Sequence, residues 1–386
     1  MQTTGDQFLV KKINKAIVLD AIVRHCPLSR AQLSDMCGLN KGTVSTLVGE
    51  LIEEKLVYEI GFGRSSGGRK PVMLMFNKSA GYAIGIDLEV RHMLAVMTDL
   101  DGRVIAERQV ELERHDPASV LELLTGAARS LIGEAPPSAY GVIGAGVGVA
   151  GIVDDKGTVL FAPNLEWEQV ELERLLRESL AVPVTIDNEA NAGALGELQY
   201  GAGKEASGIV YLSVGAGIGA GIVTGGSLMK GAGGFSGELG HTTIETNGKR
   251  CRCGNKGCWE QYASESAALE LARPLGVARF GELIELAKQD APEAIRLFHE
   301  VGESLGIGIA NVINAFNPEL VLIGNRMVLA EPWIRTAIER TVSARALPFH
   351  RRQAQIRFAS LGERSAVMGA AFSAVTAFLS KDRVTW

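Results

Sequence analysis

The segment "CRCGNKGC" (Cys251 to Cys258) packs three of the chain's five cysteines into eight positions. His241 stands ten positions before the first of them. Three thiolates and one imidazole fill a tetrahedral zinc shell and leave no open coordination position, which is the composition of a structural site. The "GNKG" between the last two cysteines lets the backbone turn sharply enough to bring the sulfurs together. We therefore expect zinc held by His241, Cys251, Cys253 and Cys258. The other two cysteines, Cys26 and Cys37, read as small core residues. An odd cysteine count, together with an opening "MQTTGDQFLVKK" that lacks a signal-peptide pattern, points to a reducing cytoplasm. The apolar run "YGVIGAGVGVAGIV" is 14 residues long, too short to span a bilayer, so no membrane partner is expected.

Charge is unevenly spread. Residues 1–80 hold eleven Lys and Arg against seven Asp and Glu, net +4, whereas the other 306 residues are net −9. A basic head on an acidic body suggests a polyanion partner for the head alone. "NKAIVLDAIVRH" from Asn14 reads as a helix with Ile17, Val18, Ala21 and Ile22 on its apolar side. Ser29 is a good N-cap and Gly38 a good stop for a helix over Arg30 to Cys37. Asn40 caps the next helix, whose Val44, Leu47, Val48, Leu51 and Ile52 form a stripe. Two short helices joined by a tight turn make a helix-turn-helix. Lys41, Thr43, Ser45 and Thr46 face away from the stripe at the helix end that enters a major groove. "LVYEI" and "PVMLMFN" then bracket "GFGRSSGGRK", a hairpin wing that presents Arg64, Arg69 and Lys70 to phosphates or a minor groove.

Beyond Tyr82 the pattern changes to short β runs. "YAIGIDL", "HMLAVMTDL" and "GRVIAERQVEL" precede a helix and the buried strand in "YGVIGAGVGVAGIVD". A similar order recurs in "GIVYLSVG", "IGAGIVTGG", two helical stretches and "ELVLIGN". This reads as a duplicated α/β unit, and two such units facing each other leave a cleft between lobes.

The stretches "GELGH", "CRCGNKGCWEQYAS", "PNLEW", "IDNEANAGALGE" and "SVGAGIGAGIV" together resemble the ROK group of repressors, open reading frames and kinases. "GRSSGGRKPVM" and "FSGELGH" are most similar to its sugar-responsive repressors, those of Gram-positive bacteria that answer to xylose. The resemblance implies an α/β chain: a winged helix-turn-helix over 1–78, then a two-lobed, actin-like (ribonuclease-H-type) body over 79–386. The lobes would divide near 190–200, with the C-terminal helix a candidate to return to the first lobe. It further implies that Glu238, His241 and Glu260 hold sugar hydroxyls, with Asn188 and Glu189; Asn164 in "PNLEW" is a further candidate. Ionised carboxylates suit a pyranose, because each accepts two hydroxyl hydrogen bonds. Glu260 follows a zinc ligand by two residues, so the metal would fix its position. Glu189 stands where the group's kinases have an aspartate, and its extra methylene is expected to exclude hexoses by collision.

In the group's kinases an Asp-x-Gly-Gly-Thr turn cradles ATP phosphates. Here Glu89, Val90 and Arg91 replace Gly-Gly-Thr. The second phosphate turn reads Gly215-Ala216-Gly217 in place of Gly-Thr-Gly, and the adenosine-side "IGGG" reads "IGNR". These departures predict no ATP or Mg²⁺ binding and no enzymatic activity. The expected function is that of a repressor that binds a pseudo-palindromic operator as a homodimer or higher even oligomer and is released by a monosaccharide, xylose first. The alternatives are a ROK-type sugar kinase with an accessory DNA-binding head, or a regulator answering to another monosaccharide or to a phosphotransferase protein.

Overall fold

Local caps set two of the three helices of the head. In the computed structural model, which describes residues 7–62 and 70–380, Ser29 Oγ accepts from the Gln32 amide (3.3 Å) and Gln32 Oε1 from the Ser29 amide (2.9 Å). This reciprocal box starts α2 (Arg30–Cys37), and Gly38 ends it with φ at +66°. Asn40 Oδ1 accepts from the Thr43 amide (2.8 Å) and opens α3 (Lys41–Glu53), which buries Val44, Leu47, Val48 and Leu51. The first helix, α1 (Gln7–His25), begins well before Asn14 and leaves Ile17 exposed while burying Val18, Leu19 and Ile22. Its first half buries none of its apolar side chains fully; Lys11 and Lys15 tie it to Glu50 and Glu54 of α3. Strands β1 (Leu28–Ser29), β2 (Val57–Phe62) and β3 (Val72–Phe76) form a sheet in the order β1-β3-β2, so the hairpin has a third strand.

The body contains the same sheet twice. In the first, β4 (Tyr82–Leu88), β5 (His92–Asp99) and β6 (Val104–Glu111) run antiparallel. Helix α4 (Pro117–Glu134) leads to β7 (Val142–Val149), parallel to β4. A small antiparallel sheet of β8 (Ile152–Val153), β9 (Val159–Ala162) and β10 (Trp167–Val170) intervenes. Then α5 (Leu172–Leu180) and β11 (Val184–Asn188) complete the order β11-β7-β4-β5-β6. Helix α6 (Glu189–Tyr200) carries the chain over to the second sheet. There β12 (Gly208–Val214), β13 (Ile218–Thr224) and β14 (Ser227–Leu228) are antiparallel. After α7 (Glu260–Ala263), α8 (Glu265–Ala272), α9 (Phe280–Lys288) and α10 (Pro292–Phe316), β15 (Leu320–Gly324) pairs parallel to β12. Helices α11 (Glu331–Arg345) and α12 (Pro348–Gln353) precede β16 (Gln355–Phe358), giving β14-β13-β12-β15-β16. Read from the lead hairpin, both sheets have the order 3-2-1-4-5, so the duplication seen in the sequence is one of topology. Each lobe has its own apolar core.

The last helix, α13 (Ser365–Leu379), joins these parts. It lies on β4 and β7 and against α6. Glycines make the approach possible: a Cβ on Gly369 would sit 1.7 Å from the Ala192 carbonyl oxygen, and one on Gly146 would sit 1.9 Å from that of Ala370. At its start, the carboxylate of Glu197 from α6 is fully buried. It accepts from the amides of Ala202 (2.7 Å), Ser360 (3.2 Å) and Leu361 (2.9 Å) and from the Ser365 hydroxyl (2.8 Å). At its far end, Ala374, Val375, Phe378 and Leu379 pack into the core of the winged head, as do Ala83, Leu100 and Ile143 of the first lobe. The Tyr140 hydroxyl also donates to the Glu54 carbonyl (2.8 Å). Head and first lobe thus share one core.

Candidate metal centre and interlobe cleft

The metal loop hangs between β13 and α10. Gly237, at φ +104°, and Gly240 lie so close to the outer edge of β13 that a Cβ on them would meet the Ala220 and Ile218 carbonyls at 1.9 and 2.1 Å. The loop ends on Trp259, fully buried, whose indole N–H donates to the Ser304 carbonyl (2.9 Å) while its ring covers Gly308 of α10. Between these anchors His241, Cys251, Cys253 and Cys258 converge, with ligand atoms all within 4.8 Å of one another. Two of the edges are 3.6 Å (His241 Nδ1 to Cys251 Sγ) and 3.7 Å (Cys253 Sγ to Cys258 Sγ). A regular tetrahedron with metal–sulfur bonds near 2.3 Å has edges of about 3.8 Å, so these two edges already match a four-coordinate ion. Gly254 (φ +93°) supplies the turn between the sulfurs. The Asn255 side chain donates to Cys258 Sγ (3.5 Å) and that of Gln261 to Cys251 Sγ (3.7 Å). Sequence reading missed both supports, since a lone amide gives no pattern. Burial raises the thiols of Cys251 and Cys258, a preference that a bound cation reverses.

One imidazole links this cluster to the cleft. His241 Nδ1 faces the sulfurs, while Nε2 lies 3.8 Å from Glu238 Oε2. Glu260 Oε1 stands 3.6 Å from Nδ1 and 3.1 Å from Cys251 Sγ, and its other oxygen lies over Gly217. Glu238, His241 and Glu260 are therefore brought together. Asn188 caps α6 by accepting from the amides of Ala190 (2.8 Å) and Asn191 (3.3 Å) and donates to the Gly151 carbonyl (2.9 Å). The start of α6 packs on Gly219 and Gly221 of β13, the strand whose edge carries Glu238. Asn164, from the first lobe, accepts from Arg252 of the metal loop (3.2 Å).

Glu189 lies at the start of α6, next to Asn188. Its carboxyl is buried and accepts from Ser213 Oγ (2.6 Å) and Asn325 Nδ2 (3.4 Å) at the ends of β12 and β15. Burial pushes it up to about 7, against the Ser213 hydrogen bond. Asp87 and Glu89 are its charged neighbours.

In the head, Lys41, Ser45 and Thr46 are exposed and Thr43 half-buried at the N-terminal end of α3. Lys70 is exposed, while Arg64 and Arg69 lie outside the described residues.

The sequence profile of the ROK family matches residues 83–376. The chain belongs to the ROK family. It is 41% identical over 376 residues to the xylose repressor of Bacillus spizizenii, a match covering 97% of this chain and 98% of that protein. Among solved structures it is similar to a ROK family transcriptional regulator homologous to the MLC protein of E. coli, with a TM-score of 0.82, 27% identity and coverage of 96% and 97%. A ROK family glucokinase from Streptomyces griseus, in complex with glucose and AMPPNP, matches with a TM-score of 0.69 and 30% identity over 75% of this chain and 98% of its own. The ROK kinase thus corresponds to three quarters of the chain, and the ROK regulator to nearly all of it. Among the described residues no helix is long and apolar enough to cross a membrane.

Proposed function

We propose that the chain is a transcriptional repressor that binds its operator through the winged head and releases it on binding a monosaccharide, xylose first. The observation that carries this reading is the end-to-end match to xylose repressors, head and body together. The cleft chemistry agrees with it. Glu238 and Glu260 would accept hydroxyl hydrogen bonds on either side of His241, whose Nε2, on the Glu238 side, would face the sugar while Nδ1 binds the metal. Asn164 and Asn188 would add contacts from the first lobe and the α6 N-terminus. Zinc, held by His241 and the three cysteines, would act structurally, keeping Glu260 and His241 in register. Kinase activity is disfavoured by the side chains of Glu89 and Arg326, which fill the ends of β4 and β15. The operator-bound form would be a homodimer or higher even oligomer on a pseudo-palindrome, because one short recognition helix reads few base pairs.

Fluorescence anisotropy tests this reading, using duplex DNA selected from random sequence by the protein itself. Saturating D-xylose should weaken binding about 5- to 150-fold, equivalent to a coupling of ~1–3 kcal/mol, and DNA should weaken xylose binding by the same factor. Xylose that binds without changing DNA affinity would rule the mechanism out. Ser45→Ala should reduce affinity for the selected duplex more than for random DNA, since it removes a groove contact. Lys70→Ala should weaken both and lower the salt slope by about 1. An unchanged salt series would remove the wing from the interface.

A further inference from the structure

An edge strand from each sheet, β11 in the first lobe and β14 in the second, borders a cleft of about 420 Å³. Thr185 of β11, Leu228 of β14, Leu195 of α6, and Phe372 and Thr376 of α13 line it, so both lobes and both connecting helices meet around open space. An ion pair crosses its rim from lobe to lobe. Lys230 Nζ, two residues past β14, lies 2.6 Å from Asp187 Oδ2 near the end of β11. The aspartate is held by its other oxygen: Oδ1 accepts from the Asn188 amide (2.8 Å) and the Asn191 side chain (3.0 Å). The lysine opens a loop that closes on itself. The Ser236 amide donates to the Lys230 carbonyl (3.0 Å), and Gly231 (φ +72°) and Gly234 (φ +86°) make the turn. At the tip a Cβ on Gly234 would stand 3.7 Å from the Val153 carbonyl oxygen of β8, a second approach to the first lobe. The loop returns to β13, where the Gly237 carbonyl accepts from the Ala220 amide (3.0 Å), and Glu238 follows. The pair therefore joins the segment that carries Asn188 to the segment that carries Glu238.

We propose that the Lys230–Asp187 ion pair is a latch between the lobes, which makes Lys230 a positioning residue for the sugar: it holds Glu238 of the second lobe at a set spacing from Asn188 of the first. The two side chains are 51% and 22% exposed. A pair so open to water is weak and screened by salt, so it biases the spacing of the lobes and does not fix it. Because the space behind it is open, the sheet edges can part there without dismantling a core. Apparent affinity scales with the fraction of molecules already in the competent arrangement, so losing the latch weakens sugar binding without removing a sugar contact. The effect on sugar rests on the functional reading above; the effect on the loop does not.

Xylose carries no charge, so salt reaches its binding only through groups of the protein. Wild type, Lys230→Met, Lys230→Arg, Asp187→Asn and the double variant Lys230→Met/Asp187→Asn are titrated with D-xylose by calorimetry in about 0.05 and about 0.5 M NaCl. Amide hydrogen exchange is followed without sugar in peptides covering residues 230–238. At the lower salt Lys230→Met and Asp187→Asn should each lose about 2- to 5-fold in xylose affinity. The double variant should lose no more than the larger single loss, because both changes remove one interaction. Lys230→Arg should stay within about 2-fold of wild type. At the higher salt wild type should approach the level of Lys230→Met, which itself should hardly move. Exchange over 230–238 should be about 2- to 5-fold faster in Lys230→Met than in wild type at the lower salt, and nearly equal at the higher. No loss in Lys230→Met, additive losses, or a salt effect as large in Lys230→Met as in wild type overturns the proposal. If wild type binds no monosaccharide, the functional reading fails and the exchange series alone decides the latch: equal exchange in wild type and Lys230→Met at the lower salt overturns it. If Asp187→Asn does not fold, the salt series of wild type against Lys230→Met, a change at a largely exposed side chain, decides it by the same outcomes.

Discussion

Removal of the metal should abolish the response to sugar while leaving the head able to hold DNA. The loop from Thr242 to Cys258 is held mostly by polar contacts: two isolated β-bridges, Thr243 with Cys258 and Arg250 with Lys256, the Lys249–Glu270 ion pair and the Lys249 amide on the Tyr262 hydroxyl, with Ile244 its apolar side chain against the second lobe's core. Structural zinc contributes about 10–16 kcal/mol in small zinc-binding peptides at neutral pH, more than such exposed contacts replace. Metal loss frees His241 and loosens Glu260, which begins α7 two residues after Cys258. Each charge-assisted hydrogen bond to a sugar is worth about 1.5–3 kcal/mol, so losing two should cost at least about a hundredfold in affinity. Dialysis against a chelator, elemental analysis and calorimetry provide the check, and metal-free protein with full xylose affinity would sink the idea. Cys251→Ser should act like the chelator, whereas Cys26→Ser and Cys37→Ser should leave metal content unchanged. Loading should also weaken as pH falls from 8 to 6, because burial holds the Cys251 and Cys258 thiols protonated and the metal must displace those protons.

Glu197→Ala should be the most damaging single substitution outside the metal loop, at about 3–5 kcal/mol. The carboxylate is the acceptor for three backbone amides and for the hydroxyls of Ser360 and Ser365, all at the junction of α6 with the turn that starts α13. Removing it leaves those donors unpaired where water does not reach. Glu197→Gln keeps the shape but turns an amide donor toward other donors, and should recover less than half of the loss. Urea unfolding followed by tryptophan fluorescence reports on both lobes, since Trp167 is buried in the first and Trp259 in the second. A midpoint equivalent to less than about 0.5 kcal/mol from wild type would show that the junction tolerates the loss.

The sequence was most readable where structure is local. Ser29, Gly38 and Asn40 announce the head helices because a cap acts within one turn, and C-x-C-x4-C announces the cluster because three sulfurs at that spacing have few other uses. The duplicated sheet was legible from its lead hairpins. What stayed hidden depends on residues far apart in the chain. Nothing near Ala374 or Phe378 says that they complete a core begun by Val18 and Ile22. Arg326, Glu265 and Glu363 read singly as solvated charges or as damage to a phosphate site, and only the fold brings them together. The partners of Glu189 were hidden for the same reason: Ser213 lies on β12 and Asn325 just after β15, both in the other sheet's unit.

The core shared by head and first lobe bears on how such heads can be exchanged between proteins. A head joined by a free linker could be cut at residue 78 and transplanted whole. Here the cut would expose Ala83, Leu100 and Ile143 on one side and Val18, Ile22 and Leu47 on the other, and would strip the last turns of α13 of their cover. A chimaera that keeps only the boundary should misfold or aggregate unless the contacting positions at 374–379 travel with the head. The DNA-reading module therefore depends for its packing on the chain's final helix, which lies some three hundred residues away in sequence.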